Sequence, residues 1–178
     1  MCCGRFTQIG IRLFRLKTWW YFGYEPSLRI DRSKFVVSVV VGSLFTLNLA
    51  FAVSEVLLRV GPAVTSDIDF SDRGWIWVFS SIVLAPLIET YALLVLIDIS
   101  KKITSSRAIA ITSAAFLLAA FHSIFQLVWG MIAFLPFVVF AIILWEWSKI
   151  SRRLGFIASA SIHSFHNAFA TIFILSIP

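Results

Sequence analysis

Five long apolar runs limit what this 178-residue chain can fold into more than any other feature of it. They occupy residues 35–58, 75–97, 108–129, 131–147 and 155–177. A helix needs about 20 mostly apolar residues to cross the hydrocarbon core of a bilayer. Charged residues make up only 13% of the chain, against about 25% in a typical soluble domain. The sequence therefore predicts an all-α integral membrane protein, with residues 35–178 forming a bundle of about five transmembrane helices.

The basic residues indicate how these helices are oriented. Of the 15 lysines and arginines, only Arg59 and Arg73 fall outside the N-terminal segment and the second and fourth loops. Lysine and arginine are enriched in cytoplasmic loops, so we expect a multi-pass protein with a cytoplasmic N-terminus and an external C-terminus. The net charge of +6 is then expected to mark the cytoplasmic loops, and membrane lipids rather than nucleic acid are the predicted partners. Two of the seven tryptophans precede the first run and the other five lie at run ends, and all seven are expected at membrane interfaces, as in an aromatic belt.

Residues 1–34 form a basic segment ahead of the first run. Basic residues cluster on one face of this segment, and apolar residues recur at helical spacing on the other, at Phe6, Ile9, Leu13, Leu16 and Trp20. This pattern predicts an amphipathic helix on the cytoplasmic membrane surface, with a disordered basic tail as the alternative. Cys2 and Cys3 are adjacent, so no disulfide framework is predicted, and their thiols are either acylated or ordinary reduced cysteines.

The fourth run, residues 131–147, is the shortest of the five. Pro136 lies inside it and predicts a kink, because proline removes a backbone hydrogen bond from a helix. Gly130 separates it from the third run and predicts a tight hairpin there. In the first run, Asn48 is expected to make an interhelical hydrogen bond.

Polar residues inside the runs are the strongest functional signal, because ionisable groups at membrane depth are rare and usually functional. Glu89, His122 and His163 lie well inside three different runs, and His166 and Asn167 follow His163 within about one helical turn. Small residues accompany each of them at helical spacing. The three stripes are therefore expected to face one another across a polar cavity at a shared depth.

Pro86 precedes Glu89 by one helical turn. A proline at this place frees a backbone carbonyl near Ile82, which then needs a partner or water. Two interpretations stay open. The kink either helps to admit water to Glu89 or is an ordinary proline kink of the kind common in membrane helices.

A glutamate, a histidine and a His-x-x-x-Asn pair suit the activation of water. A carboxylate can act as a general base, and a neighbouring histidine can hold the same water. A second histidine with an asparagine amide can stabilise an oxyanion. The chain has no His-Glu-x-x-His sequence, so the metalloprotease signature is missing, and neither a metal nor a cofactor is predicted.

Three segments in series resemble the motifs of the CAAX prenyl endopeptidase and bacteriocin-processing family of glutamic intramembrane proteases (CPBP, Abi-like). They are APLIETYALL, LAAFH and HSFHN, in the order and spacing of that family's EExxxR, FxxxH and HxxxN motifs. The resemblance covers about residues 75–170. The chain departs from the family in three supporting positions, because Thr90 replaces the second glutamate, Leu94 the arginine and Leu118 the phenylalanine.

The resemblance implies catalytic roles for four residues. Glu89 would be the base that activates water, His122 would share that water, and His163 with Asn167 would stabilise the oxyanion. His166 has no counterpart in the motifs and is expected to support or pack against the site, and Thr90 is expected to fill the place of the missing glutamate. A divergent family member would reside in a bacterial cytoplasmic membrane and cleave a peptide or protein substrate near that membrane.

Two other kinds of function stay open from the sequence. The first is a catalytically inactive relative that acts as a membrane scaffold or immunity factor, which the missing second glutamate and arginine favour. The second is a metal-binding or proton-conducting site built from Glu89, His122, His163 and His166, because carboxylate and imidazole ligands suit zinc.

Overall fold

The computed structural model describes residues 31–60 and 74–175, whose regular structure consists of five helices. We label them α1 (Arg32–Val60), α2 (Trp75–Ile103), α3 (Arg107–Phe125), α4 (Leu127–Ser148) and α5 (Arg152–Leu175). Within α2, one π-helical turn at Ser80–Leu84 joins the α-helical segments Trp75–Phe79 and Ala85–Ile103. The predicted amphipathic helix, Cys2 and Cys3 lie outside the described residues.

Four of these helices are long and apolar enough to cross a membrane, namely α1 over Arg32–Leu57, α2, α3 and α4. The chain is therefore a multi-pass integral membrane protein, and the predicted all-α fold is confirmed. Helix α5 has 24 residues and is long enough, but His163, His166 and Asn167 interrupt its apolar sequence and it is not among the four. A fifth crossing by α5 stays a prediction.

Asp31 caps the beginning of α1. Its carboxylate accepts hydrogen bonds from the Ser33 backbone N–H and hydroxyl and from the Lys34 backbone N–H. These bonds satisfy N–H groups that have no partner within the helix. The bond from the Ser33 side chain, followed by those from Lys34, lowers the pKa of Asp31 below its ordinary value.

The boundary between α3 and α4 differs from the prediction. The chain turns at Gln126, whose backbone is extended with φ −160° and ψ 124°, so α3 ends at Phe125 and α4 begins at Leu127. The predicted hairpin at Gly130 is wrong, since Gly130 lies inside α4. The expectation of a short fourth helix is also wrong, because α4 has 22 residues. Residues on both sides of Gln126 are apolar, so hydropathy gave no signal for this turn.

Glycines allow α4 to approach both of its chain neighbours closely. A Cβ at Gly130 would overlap the Ala119 carbonyl oxygen of α3. A Cβ at Gly155 in α5 would lie 2.6 Å from the Leu144 carbonyl oxygen of α4. Small residues at such crossings bring helix backbones together in membranes, where packing rather than the hydrophobic effect drives association.

Helix α4 packs against α1, α3 and α5, and α2 packs against α3 and α5. Their shared core is apolar and fully or nearly buried, and includes Leu93, Ile97, Ile111, Leu118, Phe137, Phe140, Leu144 and Ile162. Trp147 belongs to this packing, because it is buried and its ring lies edge-on to Phe35 with the centroids 5.2 Å apart. Trp75, by contrast, is exposed, as a residue of an interfacial belt would be.

Ion pairs connect the helices at one end of the bundle. Arg152 of α5 pairs with Asp98 of α2, and Arg107 of α3 pairs with Glu146 of α4. Exposed pairs of this kind stabilise a fold by only about 0–1 kcal/mol. Their significance is geometric, because they place the end of α2, the start of α3, the end of α4 and the start of α5 on one side.

Candidate active site

Glu89 lies between two histidines from different helices. Its Oε1 is 3.5 Å from Nε2 of His122 on α3, and its Oε2 is 3.4 Å from Nε2 of His163 on α5. The three predicted stripes of α2, α3 and α5 therefore do meet, and each carboxylate oxygen faces its own imidazole. Both separations are longer than an ordinary N–H···O hydrogen bond of about 2.9 Å.

A backbone carbonyl determines how His122 presents its ring to Glu89. The Nδ1 atom of His122 is 2.9 Å from the Leu118 carbonyl oxygen. A carbonyl can only accept, so Nδ1 carries the proton of this hydrogen bond. In the neutral ring, Nε2 is then an acceptor that faces the carboxylate oxygen of Glu89. Two facing acceptors are complementary only when a proton is shared between them or when a donor such as water binds both.

Aromatic rings of α4 hold His163. Its ring stacks on Phe140 with the centroids 4.4 Å apart and the planes at 24°, and Phe137 lies edge-on at 5.7 Å. Phe137 also lies 5.1 Å from the ring of His122. His163 is almost completely buried, which leaves its imidazole with little freedom to turn away from Glu89.

Asn167 contacts α2 at the π-helical turn rather than at Glu89. In that turn the Ala85 N–H donates to the Ser80 carbonyl, five residues back. The next donor in this pattern would be residue 86, which is Pro86 and has no N–H. The Ser81 carbonyl thus loses its helical donor, and Nδ2 of Asn167 donates to it at 2.8 Å. The freed carbonyl was expected near Ile82; the π turn shifts it to Ser81.

Thr90 and His166 are the two supporting candidates. Thr90 is buried directly after Glu89, and its hydroxyl has no hydrogen-bond partner among the described residues. His166 lies edge-on to Phe140 with the centroids 5.9 Å apart, and its Nδ1 is likewise buried without a partner in the described part of the chain. Phe140 therefore contacts both histidines of α5, and His166 lies next to the Glu89 site rather than in it.

The centre of the site is only partly buried. The side chains of Glu89 and His122 keep 20% and 23% of their accessible surface, whereas His163 keeps 5%. The site is thus partly open beside Glu89 and His122, while Phe137 and Phe140 next to it are buried. Sequence reasoning assigned no site residue to α4, because two phenylalanines three positions apart do not stand out in an apolar membrane helix.

Metal ligation finds no support in this arrangement. Across residues 31–60 and 74–175, no group of three or more His, Cys, Asp and Glu side chains is arranged to hold a metal ion. The contacts of Glu89 are with two imidazoles, and the third histidine of the region, His166, is directed at Phe140.

Comparison of the chain with protein families, with curated proteins and with solved structures gives no match.

Proposed function

We propose that the protein is an intramembrane endopeptidase of the glutamic type, in which Glu89 activates a water molecule. The observation that carries this proposal is the position of Glu89 between the Nε2 atoms of His122 and His163, at 3.5 and 3.4 Å. The carboxylate of Glu89 and Nε2 of His122 are both hydrogen-bond acceptors, so together they can bind a molecule that donates two hydrogen bonds. Water is the smallest such molecule, and Glu89 and His122 both keep accessible surface at which it could bind.

The proposed reaction begins with this water. One O–H donates to Glu89 and the other to Nε2 of His122, so the oxygen lone pairs point away from both groups. Glu89 takes a proton as the oxygen attacks the carbonyl carbon of the scissile peptide bond. The same proton then passes to the nitrogen of the leaving amine as the C–N bond breaks. The products are a carboxylic acid and an amine, and Glu89 is a carboxylate again. No metal enters any step.

The geometry supports different roles for His163 and Asn167, the first and last residues of the HSFHN segment. His163 faces the second oxygen of Glu89, which suits it to orient the carboxylate. Asn167 uses one amide N–H on Ser81, and its second N–H remains for an oxyanion. We therefore propose His163 as a positioning residue in the resting state and Asn167 as the oxyanion donor.

A comparison of cleaved peptides tests the proposal. Membranes of a bacterial host expressing the wild type, Glu89→Gln or Glu146→Gln are analysed by mass spectrometry for new N-termini. Glu89→Gln keeps the shape of the side chain but cannot accept the proton, so the products should disappear while the protein still inserts. Glu146→Gln alters a glutamate at the ion-paired end of the bundle and should leave them unchanged. Identical products from wild type and Glu89→Gln would rule out this activity.

A non-catalytic scaffold or immunity factor is the second candidate, and Thr90 favours it. The resembled family has a second glutamate at this position, whereas the Thr90 hydroxyl is buried without a partner among the described residues. A scaffold would produce no Glu89-dependent products but would still bind its partner. Pull-down of the same partner by wild type and Glu89→Gln, with no cleavage by either, would favour the scaffold.

A metal site is tested by the purified protein itself. If Glu89 activates water without a metal, the protein should contain no stoichiometric zinc, and a chelator should leave cleavage intact. Zinc bound at one equivalent and lost in His163→Ala would favour the metal site instead.

A further inference from the structure

Helix α1 carries a polar residue on a face that no other described helix covers. Asn48 is exposed, near the middle of a helix that is apolar enough to cross the membrane. It lies 12 residues before the end of α1 at Val60, which corresponds to roughly 18 Å along the axis. In an α1 that crosses the membrane, this exposed side chain therefore lies at a depth where water is scarce.

The amide of Asn48 is only partly satisfied within the chain. Nδ2 donates to the Leu44 carbonyl of the same helix at 2.7 Å. The expected hydrogen bond to another helix of this chain is therefore wrong for the described residues. The second N–H and the carbonyl oxygen of the amide have no hydrogen-bond partner among the described residues. An amide without partners in hydrocarbon is costly, and such groups bring helices together in membranes.

The buried stripe of α1 confirms that Asn48 belongs to the opposite face. Ser43 and Thr46 are buried against the bundle, and their hydroxyls bond to carbonyls of their own helix. Asn48 follows Thr46 by two residues, about 200° around the helix. Ser43 and Thr46 therefore face the bundle, whereas Asn48 points out of it.

Exposed residues around Asn48 follow a heptad pattern. One row consists of Val41, Asn48 and Glu55, at intervals of seven residues. A second row alongside it consists of Val37 and Leu44, also seven residues apart, and the two rows together form one seam. All five are exposed in the described structure. An apolar seam with alternating spacings of four and three is the pattern by which two helices pack in a coiled coil, and one central asparagine in it fixes register and oligomeric state.

We infer that α1 mediates a parallel homodimer in which Asn48 bonds to Asn48 of a second copy. Copies inserted in the same orientation can pair α1 only in parallel around a two-fold axis, which places each seam residue opposite itself. An asparagine amide is self-complementary, since it has both a donor and an acceptor. Glu55 would also face its copy, but it lies near the helix end with its own Arg59 at 4.0 Å. This inference does not depend on the proposed activity.

Dimerisation of the full-length protein in phosphatidylcholine vesicles tests the inference. Energy transfer between labelled copies is measured over a series of protein-to-lipid ratios for wild type and Asn48→Leu. Replacing the amide should weaken the dimerisation constant about 5- to 30-fold, the range found for interhelical hydrogen bonds in model membrane peptides. A wild type that is monomeric at every ratio, or an Asn48→Leu protein that dimerises equally well, would overturn the inference.

Cysteine cross-linking adds a test that leaves Asn48 in place. In a background with Cys2→Ser and Cys3→Ser, Leu44→Cys puts a thiol on the seam, and Val36→Cys puts one on an exposed position beside it. Oxidation should cross-link Leu44→Cys and leave Val36→Cys monomeric. Equal cross-linking at the two positions would indicate random collision and contradict the proposed face.

Discussion

The side-chain amide of Asn167 donates to the backbone carbonyl of Ser81, 86 residues earlier in the chain, at 2.8 Å. Three local features produce this bond. The π turn moves the hydrogen bond of Ala85 to Ser80, Pro86 has no N–H to give to Ser81, and α5 packs against the turn. Single π turns occur frequently at functional sites, and here the turn lies one helical turn before Glu89.

This relationship predicts a coupling between Asn167 and Pro86. Asn167→Leu should lower the free energy of unfolding by about 1–3 kcal/mol, because it leaves the partly buried Ser81 carbonyl without a donor. Pro86→Ala supplies a backbone N–H to that carbonyl, so the double variant should lose less stability than the sum of the two single variants. The free energy of unfolding in detergent is measured for the wild type, the two single variants and the double variant. Additive losses would show that Ser81 does not link the two residues.

A buried hydroxyl provides the second prediction. Thr90→Val removes an oxygen that has no partner among the described residues while keeping the side-chain volume, so stability should stay the same or rise by up to about 1 kcal/mol. Thr46→Val is the matched control. Thr46 is equally buried, but its hydroxyl donates to the Ser43 carbonyl at 3.0 Å, so the same change should cost about 0.5–1.5 kcal/mol. Equal losses in both variants would contradict the described environment of Thr90.

The convergence of Glu89, His122 and His163 could be predicted because helix periodicity alone determines which residues share a face. Short loops then force neighbouring helices together, and a carboxylate inside a membrane helix needs partners there. The position of Asn167 could not be predicted in the same way. Its partner is a main-chain carbonyl, and the π turn that frees this carbonyl leaves no trace in the hydropathy of residues 80–84.

Helix ends were predicted less well than helix faces. The turn at Gln126 lies within continuous apolar sequence, so only its extended backbone separates α3 from α4. The direction of Asn48 was also missed, because a single polar residue does not reveal which side of its helix faces the bundle. Both misses come from packing between helices, which composition does not encode.

Close contact between α4 and α5 gives the third prediction. Gly155→Ala places a Cβ 2.6 Å from the backbone carbonyl of Leu144, which cannot move without shifting α4. We expect a loss of about 1–3 kcal/mol in unfolding free energy, the usual cost of overpacking. Gly74→Ala is the control, since a Cβ there meets nothing within 4 Å. If Gly155→Ala unfolds like Gly74→Ala, the two helices are farther apart than described.

The last prediction concerns the path of α5 relative to the membrane. Its 24 residues correspond to about 36 Å, enough to cross a hydrocarbon core of about 30 Å. Its polar residues are no obstacle to crossing when they face the bundle, and His163 and Asn167 both contact α2. Arg152 pairs with Asp98 and holds the start of α5 at the end of the bundle that carries most basic residues.

Reporter fusions after Ser105 and Ser151 should therefore read as cytoplasmic, and one after Pro178 as external. Because only α5 lies between the last two fusion points, they measure its crossing directly. A cytoplasmic reading after Pro178 would mean that α5 does not cross.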